Sequence, residues 1–182
     1  IDWHGKINGK AIVGWQAGRP PTINMTLYSD NGKIGLIQDG DSTPVTLPYK
    51  RVSLIAMSVP EGIKLRTDIN TGRGARGYAE VVVDPYKTPI SGALVLNELN
   101  LAIFKPFFPG MRVLEGNVTM AGGLGGTLDK PQFYGNVKLV DGRIAMLDLP
   151  VNLTNVNTEA KVRGTQATID GIFDSSTGTG TL

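Results

Sequence analysis

The stretch KPQFYGNVKLVDGRIAM, residues 130–146, decides the fold class. Its apolar side chains alternate with polar ones, so that one face carries Phe133, Gly135, Val137 and Leu139. A period of two residues predicts a β-strand with one dry face and one solvated face. The glycine on the dry face is unexpected, because a flat, fully packed sandwich would be left with a gap at that position.

The same alternation recurs along the whole chain, with turn residues between the runs. Runs of this kind begin near residues 7, 23, 63, 79, 94, 118, 151, 160 and 167. This spacing is typical of a protein built from many short strands. No window of 11 or more residues shows a helical stripe of apolar side chains. The sequence therefore predicts an all-β fold.

Two local signals interrupt the alternation. Asp30, Asn31 and Gly32 form a hairpin-turn signal. The apolar segment 99–105 predicts a short helix or an irregular flap, with Asn97 as its cap and Pro106 at its end.

A weak internal repeat places glycines in register with the apolar face. The copies are GYAEV (77–81), GALVL (92–96), GNVTM (116–120) and GNVKL (135–139). Glycines at a crease would let two backbones approach closely where a sheet folds on itself. The alternative is that they are ordinary bulges or strand-start residues. We favour the first interpretation and predict four crease glycines: Gly77, Gly92, Gly116 and Gly135.

The predicted fold is a long, curved, mostly antiparallel sheet, folded like a taco around an apolar interior. Residues 1–182 would form one such segment, and the chain begins and ends in mid-pattern, as expected of a piece of a longer protein. A folded sheet of this kind leaves a trough for something long and apolar. The residues predicted to line the trough are Leu65, Ile69, Val81, Leu94, Leu96, Val118, Met120, Phe133, Val137, Leu139, Val162 and Ile169.

The sequence offers no convincing catalytic, cofactor or metal site. The chain has no cysteine, and its single histidine, His4, has no neighbouring nucleophile. Asp39 and Asp41 lie in a segment that lacks the remaining ligands of a calcium loop, so we interpret that segment as a turn. We therefore expect no enzymatic activity, no cofactor and no metal.

Two further segments resemble ligand sites only superficially. The run AGGLGGTLDK, residues 121–130, lacks the Gly-Lys-Ser/Thr ending of a phosphate loop, and we expect a flexible loop. The basic run at residues 64–77 has only Tyr78 as a nearby aromatic residue, which favours a solvated strand face over a nucleic-acid surface. The formal net charge of +2 gives no reason to expect nucleic acid as a partner.

The second half of the chain resembles the TamB family of the translocation and assembly module. The resemblance rests on LNELNLAIFKPFFPGMRVLEGNVTMAGGLGGTLDKPQFYGNVKLVDGRIAMLDLPVNLTNV, residues 96–156, and on STGTGTL at residues 176–182. Residues 1–95 match only in their strand pattern.

The resemblance implies a periplasmic part of a protein anchored in the inner membrane of a Gram-negative bacterium. Members of the family have a taco-like sheet whose groove carries phospholipids towards the outer membrane. They work with the outer-membrane barrel protein TamA, here through regions outside this chain. A role in inserting outer-membrane proteins and autotransporters would make nascent outer-membrane proteins further partners.

Three functions fit the alternation of the strands. The chain could be a lipid conduit, a chaperone for outer-membrane strands, or a structural β-solenoid with a filled core. An open trough favours the first function, and a filled interior favours the last.

Overall fold

The computed structural model describes residues 2–19, 21–36, 45–72, 75–84, 89–147, 152–175 and 178–181. These residues form one open sheet of twelve strands, so the all-β prediction is confirmed. The strands are β1 Asp2–His4, β2 Ile7–Gly14, β3 Thr22–Leu36, β4 Val45–Val59, β5 Gly62–Asn70, β6 Arg76–Val83, β7 Ile90–Asn100, β8 Met111–Gly126, β9 Pro131–Met146, β10 Asn152–Gly164, β11 Gln166–Ser175 and β12 Gly178–Thr181.

The sheet is an antiparallel meander in which strands that follow one another in sequence lie side by side. The order is β1-β3-β4-β5-β6-β7-β8-β9-β10-β11-β12. Both β1 and β2 pair with the same edge of β3, β2 along residues 22–29 and β1 along residues 33–35. The sheet does not close into a barrel. Across its strand order the sheet extends over about 50 Å, at roughly 4.8 Å per strand.

A 3₁₀ helix, Leu101–Phe107, joins β7 to β8 and confirms the short helix predicted for this segment. The predicted cap was wrong. Asn97 lies within β7, whereas the Asn100 side chain accepts a hydrogen bond of 2.8 Å from the Ala102 backbone N–H. We refer to Leu101–Phe107 as the 3₁₀ segment.

Two predicted turns are strands instead. β3 continues through the predicted hairpin turn. Asp30 and Gly32 still pair with β4, and Asn31 alone adopts a left-handed backbone (φ 55°). The predicted flexible loop at 121–130 is also largely strand, since β8 extends to Gly126 and only the last four residues turn. Its glycines fit the sheet because the strands pack closely there.

Several strands contain a left-handed residue near their middle. Because a left-handed residue inserts one extra position, two consecutive side chains point away from the apolar face: Val140 and Asp141 are both exposed, whereas Leu139 and Gly142 are not. A bulge of this kind bends its strand, and bulges in adjacent strands bend the sheet along a common line. We call this the bend line. Its bulges carry the left-handed residues Glu98, Asp141 and Asn155, and the left-handed residues Asn31 and Gly116 lie on the same line without an inserted residue.

The bend line divides the sheet into two walls. β5 and β6 end on this line, because Asn70, the last residue of β5, pairs with Arg51 and Arg76. The first wall contains residues 7–14, 22–30, 51–59, 62–70, 76–83, 90–97, 117–126, 131–140, 157–164 and 166–171. The second wall contains residues 2–4, 32–36, 45–49, 111–115, 142–146 and 152–154.

The space between the walls is not filled by side chains. Among the described residues, only seven apolar ones are buried: Tyr49, Ala56, Ala75, Ile90, Leu114, Ala145 and Val156. The accessible surface is 11968 Å², whereas a compact protein of 19.4 kDa exposes about 8,500 Å². The chain therefore forms an open trough and not a solenoid with a packed core.

The four predicted crease glycines occupy different places. Gly116 lies on the bend line with a φ of 128°, where an added Cβ would lie 2.7 Å from the Leu139 side chain. Gly77, Gly92 and Gly135 lie within the first wall, in three different cross-strand rows. At each of these three, an added Cβ would collide with a backbone oxygen of the paired strand. Their role in folding the sheet stays a prediction, although the close approach of backbones is clear.

Neighbouring glycines in β8 provide a test of this close packing. A Cβ on Gly122 would lie 2.7 Å from the Gly135 Cα, whereas a Cβ on Gly123 would find its nearest atom 3.7 Å away. We expect Gly122→Ala to lower the free energy of unfolding by about 1–3 kcal/mol, as overpacking does. Gly123→Ala should be neutral or stabilising by up to about 1 kcal/mol. Urea denaturation measures the free energy of unfolding of both variants. Equal changes in the two variants would contradict the close packing at Gly122.

Candidate functional site

The candidate site is the apolar face of the first wall, which we call the inner face. Cross-strand register defines it, since residues that pair across an antiparallel sheet share a face. One continuous row crosses the sheet from β2 to β11: Ile7, Ser29, Val52, Ile69, Gly77, Leu96, Met120, Val137, Ala160 and Ile169. The next rows run parallel to it on either side.

The register places all twelve residues predicted to line the trough on this inner face. Eleven of them are half-buried, and Ile169 near one edge of the sheet is 55% exposed. Intermediate burial fits an open apolar surface, because side chains in a filled core are closed off from water. That this surface holds lipid stays a prediction.

Other inner-face residues were missed by the sequence analysis. Leu54 lies in β4, where Ile55 and Met57 on the opposite face obscure the alternation. Leu124 lies in the segment that was expected to be a loop. Beyond the bend line the alternation changes phase in β9 and β10, which hid Ile144 and Leu153, the residues that form a row with Leu114 in the second wall.

No charged side chain lies on the inner face among the described residues of the first wall. Its polar side chains are the hydroxyl groups of Ser29, Ser58, Thr67 and Thr158. Ser29 is buried and shares a 2.7 Å hydrogen bond with the Tyr49 hydroxyl. An isolated ion would be costly to desolvate on such a surface, so this face is suited to apolar ligands.

The charges of the first wall lie on the opposite, outer face and are largely paired. The Lys64 ammonium lies 2.9 Å from the Glu80 carboxylate, and Arg66 bridges Glu80 and Asp68 at 3.5 and 2.9 Å. The Arg66 guanidinium also stacks over the Tyr78 ring at 4.2 Å. The basic run at 64–77 therefore lies mainly on a solvated strand face, with acidic partners for Lys64 and Arg66.

Two outer-face carboxyl groups are held in their charged form by these contacts. A hydrogen bond from Lys64 keeps the pKa of Glu80 below its usual value, assisted by the charges of Lys64 and Arg66. Two hydrogen bonds from Arg51, at 2.6 and 2.9 Å, likewise lower the pKa of Asp30. The outer face is thus stabilised by ion pairs that require ionised carboxylates.

The part of the chain that the structure describes holds no group of three His, Asp or Glu side chains able to bind a metal. His4 is exposed. The calcium-loop candidate with Asp39 and Asp41 lies outside the described residues. No helix among the described residues is long and apolar enough to cross a membrane.

The described residues form an open sheet with one charge-free apolar face and one charged face, the arrangement of a groove-forming β-protein. The family comparison agrees: residues 1–139 match the TamB N-terminal domain. The chain belongs to the TamB family. The match also covers residues 1–95, where the sequence analysis found only a similar strand pattern.

A curated relative supports the same assignment. Over 169 residues the chain is 22% identical to the translocation and assembly module subunit TamB of Haemophilus influenzae, an alignment that covers 92% of this chain. The chain spans only 13% of that relative's length. No solved structure matches the chain.

The ion pairs of the outer face predict a pH-dependent stability. Because the pKa of Glu80 is lowered in the folded state, its contribution is present above the ordinary glutamate pKa of about 4.3 and is lost as the pH falls through the lower folded-state value. We expect Glu80→Gln to lower the urea midpoint at pH 7, and we expect the difference from the unmodified protein to shrink as the pH falls below the ordinary glutamate pKa. If the difference between the urea midpoints of the variant and the unmodified protein increased as the pH fell, this linkage would be contradicted.

Proposed function

We propose that this segment shields phospholipid acyl chains in its trough and supports their transport from the inner to the outer membrane. The observation that carries the proposal is the charge-free inner face, which runs from β2 to β11 and is left open by the side chains. Membership of the TamB family supports an assembly role in the bacterial envelope.

The energetics of an acyl chain suit such a surface. Each buried methylene contributes about 0.8 kcal/mol, so a chain of ordinary length could gain roughly 10 kcal/mol. A deep local pocket with that affinity would trap the lipid. A long face of similar aliphatic side chains lets the chain slide, because every position offers nearly the same environment.

A chaperone function is the second candidate, and one observation favours it. In the described structure, β2 and β12 each pair on one side only, so their other edges can accept an incoming strand. Nascent outer-membrane proteins would be the partners in that case, together with TamA through other regions of the protein. The structural solenoid is disfavoured, because the interior is not packed.

A charge placed on the inner face tests the conduit. Val137→Asp would put a carboxylate where acyl chains pass, and desolvating it costs several kcal/mol. We expect at least a tenfold loss of phospholipid recovered with the purified protein, measured by mass spectrometry. The thermal midpoint should fall only modestly, because water in the open trough can hydrate the charge when lipid is absent.

Asn136→Asp is the matched control, because Asn136 is exposed on the outer face one residue away. Lys138 is a poorer control site, since its ammonium lies 3.3 Å from the Glu159 carboxylate. Asn136→Asp should leave both lipid recovery and the thermal midpoint unchanged. A folded Val137→Asp protein that carries as much lipid as the control would refute the conduit, and failure to fold would favour a packed core.

A further inference from the structure

The outer face of the sheet has a polar depression at the bend line, where two strands end. β5 ends at Asn70 and β6 begins at Arg76, so both strands stop on this line between β4 and β7. A depression of about 430 Å³ lies against these strand ends. Its lining contains three charged side chains and the neighbours that pair with them in the sheet: Lys50, Arg76 and Glu98, with Asn70, Gly72 and Asn97.

The bend places charged side chains on both sides of the depression. In β7 the left-handed Glu98 (φ 53°) interrupts the pairing with β8, and both Asn97 and Glu98 are exposed. In β4 the consecutive residues Lys50 and Arg51 are both exposed. Strict alternation would turn one residue of each pair towards the inner face, whereas a bulge re-aims a side chain. The feature that bends the sheet therefore also brings Glu98 to the outer face.

Arg76 lies in the middle of the depression. It pairs with Asn70 on one side and Asn97 on the other, at Cα separations of about 5 Å. Lys50 lies beside the turn that follows β5, since a Cβ added to Gly72 would lie 3.3 Å from the Lys50 Cβ. The guanidinium of Arg76 thus has neutral amides in both flanking strands and an ammonium group in the same lining.

The three charged side chains of the depression make no ion pair with one another or with other residues that the structure describes. Two neighbouring pairs on the outer face are already formed, Arg51 with Asp30 at 2.6 Å and Arg66 with Asp68 at 2.9 Å. The depression therefore offers two cationic groups and one carboxylate to a ligand.

A phosphate group suits the two cations. The planar guanidinium of Arg76 can donate two parallel hydrogen bonds to phosphate oxygens, and the Lys50 ammonium adds a point charge. The Asn70 Oδ1 accepts a hydrogen bond of 2.8 Å from the Gly72 N–H, so its NH₂ group can donate to the same anion.

Glu98 distinguishes between a simple anion and a zwitterion. A phosphate bound to Arg76 would be repelled by the Glu98 carboxylate, which lines the same depression. An ammonium group joined to the phosphate by a short chain removes this repulsion, because it donates hydrogen bonds to the carboxylate while the phosphate stays on the cations. The lining therefore matches a phosphate ester that carries a primary amine better than inorganic phosphate.

The depression is large enough for such a group. Its volume of about 430 Å³ compares with the roughly 30 Å³ that one water molecule occupies in the liquid. A second depression of about 290 Å³ adjoins it, shares Asn70, Arg76 and Asn97, and is also lined by Tyr78 and Val95. The carbon atoms on the other side of the phosphate would thus find an apolar surface within reach.

We propose that this depression, which we call the outer-face site, binds a phosphate ester that carries a primary amine, as in a phosphoethanolamine group. The phosphate lies on Arg76 and Lys50, and the ammonium group lies on Glu98. The same chemistry occurs in the headgroup of phosphatidylethanolamine and in phosphate esters free in solution. The inference concerns the outer face, so it does not depend on acyl chains binding to the inner face.

A matched pair of small molecules tests the site. Phosphoethanolamine and ethyl phosphate differ only in the amine, and NMR titration of the unmodified chain should show about threefold tighter binding of phosphoethanolamine. The amide shifts should change at residues 50, 70, 76, 97 and 98. Glu98→Gln should remove the preference for the amine, whereas Arg76→Gln should weaken the binding of both esters about tenfold.

Two variants outside the depression serve as controls. Glu61→Gln removes an exposed carboxylate just before Gly62, at the opposite end of β5. Arg163→Gln removes an exposed guanidinium on the outer face of β10. Both should bind the two esters like the unmodified chain. Equal affinity of the unmodified chain for both esters, or the same losses in these controls, would overturn the outer-face site.

Vesicles distinguish the two sources of the ligand. If the source is a lipid headgroup, the chain should sediment with phosphatidylcholine vesicles only when they contain phosphatidylethanolamine, and Glu98→Gln should abolish this binding. If phosphoethanolamine binds but these vesicles do not, the site serves a soluble phosphate ester and headgroup recognition is overturned. Lipid recovery with Val137→Asp tests the trough separately, so failure of the conduit and failure of the outer-face site give different results.

Discussion

The fold depends on keeping apolar side chains on one face while each long strand passes through a bend. A strand with strict alternation cannot turn sharply, and any inserted residue would send its later side chains to the wrong face. At Glu98, Asp141 and Asn155 a left-handed residue solves both problems, because it adds one outward position and the alternation then resumes in the opposite phase. Leu139 and Gly142, three residues apart, consequently line the same interior.

The small residues at the bend follow from the same constraint. On the inside of a bend the strands crowd together: an added Cβ on Gly142 would lie 2.9 Å from the Val156 Cβ, and one on Gly116 would lie 2.7 Å from Leu139. Left-handed positions on the outside are taken mainly by Asn and Asp, which tolerate that backbone better than other residues with side chains. The bend is thus encoded by single small or left-handed residues in several strands, and not by one continuous sequence pattern.

These features explain how much of the structure could be predicted from the sequence. Period-two alternation was sufficient for the fold class and for the face of each regular run, as in β5 and β9. It failed at Asp30–Gly32, because the Asn-Gly dipeptide that favours a hairpin also tolerates a left-handed residue within a continuous strand. It failed again in the glycine-rich part of β8, where pairing between Gly122 and Gly135 cannot be read from local composition. The proposed lipid binding corresponds to no local sequence motif, since an apolar face alone does not identify its ligand.

The meander order has a consequence for how the sheet behaves under stress. Because nearly every strand pairs with its neighbours in sequence, the folding energy is distributed over successive strand-strand interfaces instead of being concentrated in one core. Such quasi-one-dimensional proteins can open at one interface while the others remain intact. A local separation of the two walls would therefore fade within a few strands. The distance between the two walls could then change at one place along the sheet while the rest of the sheet keeps its shape.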